Sequence, residues 1–162
     1  MIKKSSKPKV QLIAPDSYPQ MLSKPRAARA LYTLRAPETA AKAQAVMDEA
    51  MPAMRAAILQ YVEEMERAAD DMTKLFEAAH EIRGFAETAG MVTTGRIAEV
   101  LCRYMDDITR FGRTLDATIV TLHVSAIARA ARAEDDNVRT GEAVAAELAA
   151  LVAKRLSEGE QK

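Results

Sequence analysis

The residues that could carry chemistry in this chain lie in the segment Leu75–Ala89, which contains His80, one of two histidines. On a helical wheel of about 100° per residue, seven apolar side chains fall between about 140° and 260° from His80. They are Leu75, Ala78, Ala79, Ile82, Phe85, Ala86 and Ala89. His80 therefore points away from the apolar face. An imidazole facing water keeps a free ring nitrogen near neutral pH and can act as a nucleophile or proton carrier.

The neighbours of His80 on the same outer face are Phe76, Arg83, Gly84 and Glu87. A glycine in the middle of a helix costs about 1 kcal/mol relative to alanine. Core packing cannot require the missing side chain on an exposed face, so Gly84 favours close approach of another molecule to the imidazole. Phe76 would give that molecule an apolar contact. We expect Phe76, Gly84 and Glu87 to form a partner-binding face around His80.

These residues resemble the signature of histidine phosphotransfer (Hpt) domains. That signature has an Ala-His pair, a hydrophobic residue, Lys or Arg, then Gly, with a second Gly six positions later. The matching residues here are Ala79, His80, Ile82, Arg83, Gly84, Ala86 and Gly90, with Asp71 and Leu75 at the family's capping and core positions. The resemblance covers roughly Met51 to Ala133, about half of the chain.

The resemblance implies a phosphorelay intermediate in two-component signalling. His80 would take a phosphoryl group from a receiver-domain aspartate, hold it as a phosphoramidate and pass it to another receiver. Arg83 would offset the charge of the phosphoryl oxygens. The partners would be response-regulator receiver domains, a hybrid histidine kinase, or both. The receiver would bring Mg²⁺, so we expect no cofactor or metal of the chain's own.

Two positions depart from the family pattern. Glu87 stands where a small or neutral residue is usual, and its carboxylate would either repel a phosphoryl group or hydrogen-bond the imidazole. Arg83 replaces the commoner lysine, which keeps the positive charge but changes its shape. Both changes concern the rate of transfer more than the fold.

Alternative functions use the same histidine. The run His80–Arg83 also resembles the phosphoacceptor box of sensor histidine kinases, but Gly84 and Phe85 follow where that box has Thr or Asn and then Pro. With 162 residues and no Gly-rich nucleotide loop, we do not expect an autokinase. A dimeric pseudo-kinase phosphotransferase stays open. So does a helical adaptor that binds a receiver or another signalling partner without being phosphorylated.

The elements that would position His80 are helices. Ala, Leu, Met, Glu, Arg and Lys dominate the chain, and 4% of it is aromatic. Apolar residues recur at helical spacing in six stretches: Pro37 to about Met51, Pro52–Ala69, Asp71–Ala89, Thr93 or Thr94 to Phe111, Thr114 or Asp116 to about Ala130, and about Gly141 to Leu156. We predict an all-α fold, an up-down antiparallel four-helix bundle with extra N- and C-terminal helices and a kernel at about 52–133.

Residues with local backbone preferences set the predicted helix ends. Pro37 suits a first helical position, whereas Pro52 either kinks its helix or starts a new one. Asp71 is a plausible N-cap, and Gly90 fits a left-handed terminus. Gly112 is expected to close the helix that Thr93 or Thr94 caps, and the polar stretch 134–140 is expected to be a loop that is solvated at 134–136.

Charge divides the chain into two parts. Eight basic residues and one acid precede Pro37, whereas 15 basic and 22 acidic residues follow, so charges of +7 and −7 cancel. Five of the six prolines lie in the same first 37 residues. We expect a flexible basic arm at 1–36 and a helical domain at 37–162. Because the arm lacks a folded reading element, we expect it to tune partner or membrane-surface contact and not to bind nucleic acid.

Composition excludes several other classes of site. One cysteine, Cys102, cannot form an internal disulfide, and two histidines with one cysteine are too few for a usual zinc site. We expect His123 to have a packing or surface role and Cys102 to be a small half-buried residue. No apolar run approaches a membrane span, and no signal-peptide core is evident. The expectation is a cytoplasmic monomer.

Overall fold

The computed structural model describes residues 22–68 and 71–158. Within these ranges the chain forms helices and no strand, which confirms the all-helical prediction. The helices are α1 (Lys24–Arg35), α2 (Pro37–Arg67), α3 (Met72–Phe85), α4 (Val92–Arg110), α5 (Ala117–Ala131) and α6 (Val138–Glu158). None of these described helices is long and apolar enough to cross a membrane. Residues 1–21 of the predicted arm, and Ala69 at a predicted helix end, lie outside the described ranges.

The chain divides into two compact units, residues 1–44 and 45–162. In the first unit, α1 has proline at its start and no buried residue. This helix lies inside the stretch predicted to be an arm. The second unit holds the hydrophobic core and His80.

Helix α2 begins at Pro37, as predicted, and continues through Pro52. Of the two alternatives at Pro52, the start of a new helix is therefore wrong, and the two predicted stretches form one helix. Its C-terminal part supplies Ile58, Val62 and Met65 to the core. The side chain of Arg55 extends from this part of α2 and donates from Nε to the Ala89 carbonyl at 3.0 Å.

Helix α3 has the predicted N-cap, because Asp71 Oδ1 accepts from the backbone N–H groups of Thr73 and Lys74, each at 3.2 Å. The α-helical span ends at Phe85, short of the predicted Ala89. A Schellman turn follows, in which the Met91 N–H donates to the Ala86 carbonyl at 2.7 Å. Gly90 adopts φ 69°, the left-handed conformation expected of it.

The N-terminus of α4 differs from the prediction. Helix α4 starts at Val92, and neither Thr93 nor Thr94 caps it; both lie buried in its first turn. The Thr93 N–H donates instead to the carboxylate of Asp136, at 3.1 Å to Oδ1. Asp136 thus caps α4 from a segment 43 residues away. The prediction of a solvated loop at 134–136 is wrong for this half-buried residue.

Helices α5 and α6 complete the described core. Of the two predicted caps, Thr114 and Asp116, it is Asp116 that caps α5, through the Thr118 N–H at 2.8 Å, and Gly112 ends the preceding segment with φ 60°. Helix α6 begins at Val138, three residues before the predicted Gly141. Helix α4 packs against α3, α5 and α6, and α5 also packs against α6. Leu148 and Val152 of α6 join the buried core, so this last helix is part of the bundle.

Candidate functional site

Helix α3 presents His80 to solvent and buries its opposite face. Leu75, Ala79 and Ile82 are fully buried, whereas His80 is exposed. The wheel is wrong for one residue of the predicted apolar face, since Phe85 is 49% exposed. Phe85 lies about 140° from His80, at the edge of the apolar arc and at the last position of α3, where the packing of neighbouring helices does not reach it.

His80 and Arg83 contact each other across one helical turn. A guanidinium Nη2 of Arg83 lies 3.0 Å from His80 Nδ1. Because a guanidinium only donates hydrogen bonds, Nδ1 must accept this one with its lone pair. The proton of a neutral imidazole then resides on Nε2. In this arrangement the lone pair of Nδ1 accepts a hydrogen bond from the positively charged guanidinium.

Phe76 and Gly84 lie on either side of His80 along the helix. The Phe76 ring centroid is 5.8 Å from that of His80, with the planes tilted by 37°. Gly84 is exposed, and a Cβ built on it would meet no atom within 4 Å in the part of the chain that the structure describes. Space inside the protein therefore does not require glycine here. The missing side chain leaves the surface beside the imidazole flat and accessible.

Glu87 lies in a cleft between the C-terminal end of α3 and the N-terminal end of α4. The cleft has a volume of about 50 Å³ and is lined by Arg83, Glu87, Val92, Gly95, Arg96 and Glu99. Two carboxylates and two guanidinium groups line it, so their charges balance around Glu87. Glu99 accepts from Arg103 Nη2 at 2.6 Å and lies 3.6 Å from Arg96 Nη1.

Arg96 is a candidate site residue that the sequence analysis missed. It is exposed on α4 and lines the same cleft as Arg83. The packing of α4 on α3 places the two arginines at the same cleft. No local pattern in the sequence indicates which residues of the two helices lie side by side. Gly95 permits the close packing, because a Cβ on it would lie 3.3 Å from Ala86 Cβ.

The surface on the other side of His80 is more acidic. A groove of about 850 Å³ runs between α2 and α3 and is lined by Tyr61, Glu64, Arg67, Ala68, Asp71, Lys74, Glu77, Ala78 and Glu81. Four of these residues are acidic and two are basic. An anionic group that approaches His80 therefore meets a more favourable potential from the side of Arg83 and Arg96 than from the groove.

The other reactive side chains, Cys102 and His123, are buried. Burial, as the largest cause, raises the pKa of the Cys102 thiol to about 11. Cys102 is fully buried, not half-buried as predicted. His123 is also fully buried; its Nδ1 donates to the Ile119 carbonyl at 2.8 Å, and burial lowers its pKa. Among the described residues, no group of three His, Cys, Asp or Glu side chains is placed to bind a metal ion.

Comparisons with protein-family models, with curated proteins and with solved structures found no match to this chain.

Proposed function

We propose that this chain is a histidine phosphotransfer protein that relays a phosphoryl group between receiver-domain aspartates through His80. The observation that carries the proposal is the combination at one exposed turn of α3. An accessible imidazole lies 3.0 Å from a guanidinium, next to a glycine beside which no other described residue fills the space of the missing side chain. The residue types at these positions match those of Hpt domains.

The proposed reaction needs little from this chain beyond a positioned nucleophile. A ring nitrogen of His80 attacks the phosphorus of an aspartyl phosphate, the N–P bond forms and the P–O bond to the aspartate breaks. The leaving carboxylate remains on the receiver, and the other ring nitrogen keeps its proton. Transfer to a second receiver reverses these steps. Phosphoryl transfer depends mainly on positioning and charge neutralisation.

Arg83 has two possible partners in this reaction. In the described arrangement its guanidinium donates to His80 Nδ1. When the phosphoryl group arrives, we expect the guanidinium to move to a phosphoryl oxygen, where the developing charge makes a stronger hydrogen bond. The receiver would supply Mg²⁺, since the proposal assigns no metal to this chain. Arg96 lines the same cleft and would attract the anionic aspartyl phosphate to this side of His80.

The proposed architecture is the four-helix kernel of an Hpt domain, with the C-terminal part of α2 and α3, α4 and α5 as its members. Burial of Ile58, Val62 and Met65 supports α2 as a member, and α4 packs against both α3 and α5. Helix α6 would then be an addition to the kernel. We further propose that the protein acts in the cytoplasm as a monomer.

The test is incubation of the chain with receiver domains carrying labelled aspartyl phosphate. We expect label that is stable in base and labile in acid, as a phosphoramidate is, on the wild-type protein and none on His80→Gln. The matched control is Glu81→Gln, which changes the neighbouring residue and should still accept label. Circular dichroism of each variant verifies that the bundle is folded.

The outcome separates the carrier from the adaptor. If several active receivers bind the wild-type protein but leave no label on it, the adaptor function replaces the proposal, and Glu87 becomes the first residue to substitute. If His80→Gln accepts as much label as the wild type, another residue carries the phosphoryl group. A dimer in solution with label on His80 would favour a pseudo-kinase phosphotransferase.

The proposed docking face can be tested at Gly84. Because a side chain there would project into open space, Gly84→Leu should leave the bundle folded and obstruct the receiver. We expect receiver binding and the transfer rate to fall at least tenfold, measured by titration and by the labelling time course. Glu63→Leu, on the exposed surface of α2, is the matched control. Normal transfer by Gly84→Leu would place the docking face elsewhere.

A further inference from the structure

Large apolar side chains of helix α1 and of Leu22, just before it, are exposed. Tyr32 is 79% exposed, Leu34 68% and Leu31 52%, and Leu22, just before the helix, is 54% exposed. No residue of α1 is buried. Exposed apolar side chains clustered on one short helix usually mark a binding surface.

The charge of α1 has one sign. The helix contains Lys24, Arg26, Arg29 and Arg35 and no acidic residue. On a wheel of about 100° per residue, Leu31 and Leu34 share an arc of about 100° with Ala27 and Ala30, whereas Arg29 lies opposite that arc and Arg26 lies at its edge. Lys24 and Arg35 stand at the two ends of the helix, within about 40° of Leu31 on the wheel. The helix thus has an apolar arc with basic residues at its two ends, at its edge and opposite it, and long basic side chains beside an apolar arc can extend their charges to a headgroup layer.

We propose that α1 binds the surface of an anionic lipid membrane. An amphipathic helix with a basic polar face lies in the plane of a membrane interface, with its apolar side chains among the acyl chains and its charges at the headgroups. Lys3, Lys4, Lys7 and Lys9 precede α1 in the sequence and raise the basic residues before Pro37 to eight. Clusters of this size bind anionic headgroups.

The distribution of charge favours a lipid surface over a protein partner. A binding groove on a protein contacts a few apolar side chains of its partner. It does not require the partner to carry basic residues spread over more than 30 positions. A charged membrane surface attracts all of them. The helix has 12 residues, fewer than the roughly 20 that span a bilayer, so it would lie on the membrane. The inference is independent of phosphotransfer by His80.

The test is co-sedimentation of the full chain with vesicles. Vesicles of phosphatidylcholine alone are compared with vesicles that also contain about a third phosphatidylserine. We expect the protein to sediment with the anionic vesicles and to remain in solution with the neutral ones. Raising the salt from about 0.1 M to about 1 M shortens the Debye length from about 10 Å to about 3 Å and should release most of it.

Two pairs of substitutions separate the apolar and the basic contributions. Leu31→Ser with Leu34→Ser removes the apolar side, and Arg26→Gln with Arg29→Gln removes two charges. Each pair should weaken binding to anionic vesicles by about tenfold or more. The matched apolar control is Leu122→Ser on α5, because Leu122 is also an exposed leucine. This variant should bind the vesicles like the wild type.

A fluorescence measurement reports on α1 directly. The chain has no tryptophan, so Leu34→Trp introduces a single tryptophan on the apolar arc of this helix. A blue shift with anionic vesicles and none with neutral vesicles would support the proposal. A wild-type chain that stays in solution with anionic vesicles at low salt would overturn it. So would concentration-dependent self-association that the Leu31→Ser, Leu34→Ser pair abolishes without any vesicle binding, because α1 would then contact a second copy.

Discussion

At the scale of single residues, the contact between Arg83 and His80 determines which ring nitrogen holds the lone pair. With Nη2 at 3.0 Å from Nδ1, the neutral ring carries its proton on Nε2. Attack by Nε2 requires Arg83 to leave Nδ1 and the proton to move there. Arg83 therefore restrains the resting imidazole and, under the proposed function, would also offset the charge of the phosphoryl group.

The tautomer of His80 can be measured. In wild-type protein, ¹⁵N chemical shifts of the imidazole should show the Nε2–H form above neutral pH. Arg83→Ala should increase the Nδ1–H population, because the donor to Nδ1 is gone, and should also slow phosphotransfer. Arg103→Ala removes an arginine from α4 without touching His80 and is the control. Identical His80 shifts in the wild type and Arg83→Ala would show that the contact does not control the proton.

The thiol of Cys102 gives a second residue-scale prediction. Because burial raises its pKa to about 11, the thiolate is a small minority at pH 8. Native protein should react with a thiol reagent at least a hundredfold more slowly than protein unfolded in guanidinium. Reaction of the native protein at the rate of a free thiol would mean that the α4 face carrying Cys102 opens readily.

At the scale of helices, two glycines inside or near helical turns should respond to alanine with opposite signs. Gly84→Ala adds a methyl in open space and should raise the free energy of unfolding by about 1 kcal/mol through helix propensity. Gly141 lies where α6 packs on α4, and a Cβ there would be 2.7 Å from Thr93 Cβ and closer still to its Oγ1 and Cγ2. Overpacking of this kind costs about 1–3 kcal/mol, which outweighs the propensity gain.

Chemical denaturation of both variants tests this contrast. A Thr93→Ala change in the Gly141→Ala background removes two of the three crowding atoms and should recover part of the lost stability. If Gly141→Ala alone were as stable as the wild type, α6 would not pack as closely on α4 as described. The two single variants control for each other, because both replace glycine by alanine in a helix.

Helix ends show which parts of the structure a sequence can predict. Asp71, Gly90 and Gly112 were predicted correctly, and Asp116 was one of two predicted caps for α5, since a cap or a positive φ depends on the residue and its nearest neighbours. The start of α4 was not predicted correctly, because its cap is Asp136, whose distance along the chain leaves no local signal. The same reason applies at the site. The wheel identified the outward direction of His80, whereas Arg96 reaches the cleft through helix packing.

At the scale of the whole molecule, the stability of the fold depends on pH through a few titratable groups. Surface carboxyls affect the free energy of unfolding in one pH range and a buried histidine affects it in another. The backbone and side chain of Lys74 lower the pKa of Asp71, and Arg132 lowers that of Glu66, with Nη2 at 2.6 Å from Oε2. A carboxyl whose pKa is lower in the folded state stabilises the protein above its unfolded value. That stability is lost only as the pH falls below about 4.5 and 3.8, the ordinary values of Glu and Asp.

His123 acts at higher pH and gives the last prediction. Burial lowers its pKa from 6.5, so below that pH the unfolded chain binds a proton that the folded protein excludes. Stability should fall as the pH drops below about 6.5, with a slope of at most about 1.4 kcal/mol per pH unit. The measurement is the free energy of unfolding between about pH 5 and 8 in a His80→Gln background, where His123 is the remaining histidine. His123→Leu, which also removes the buried unpaired Nε2, should flatten the curve above pH 5. If His123→Leu left the slope of the unfolding free energy against pH unchanged, the proton uptake would not come from His123. His123 would then be accessible to protons in the folded protein, and the core between α4 and α5 would be looser than its packing indicates.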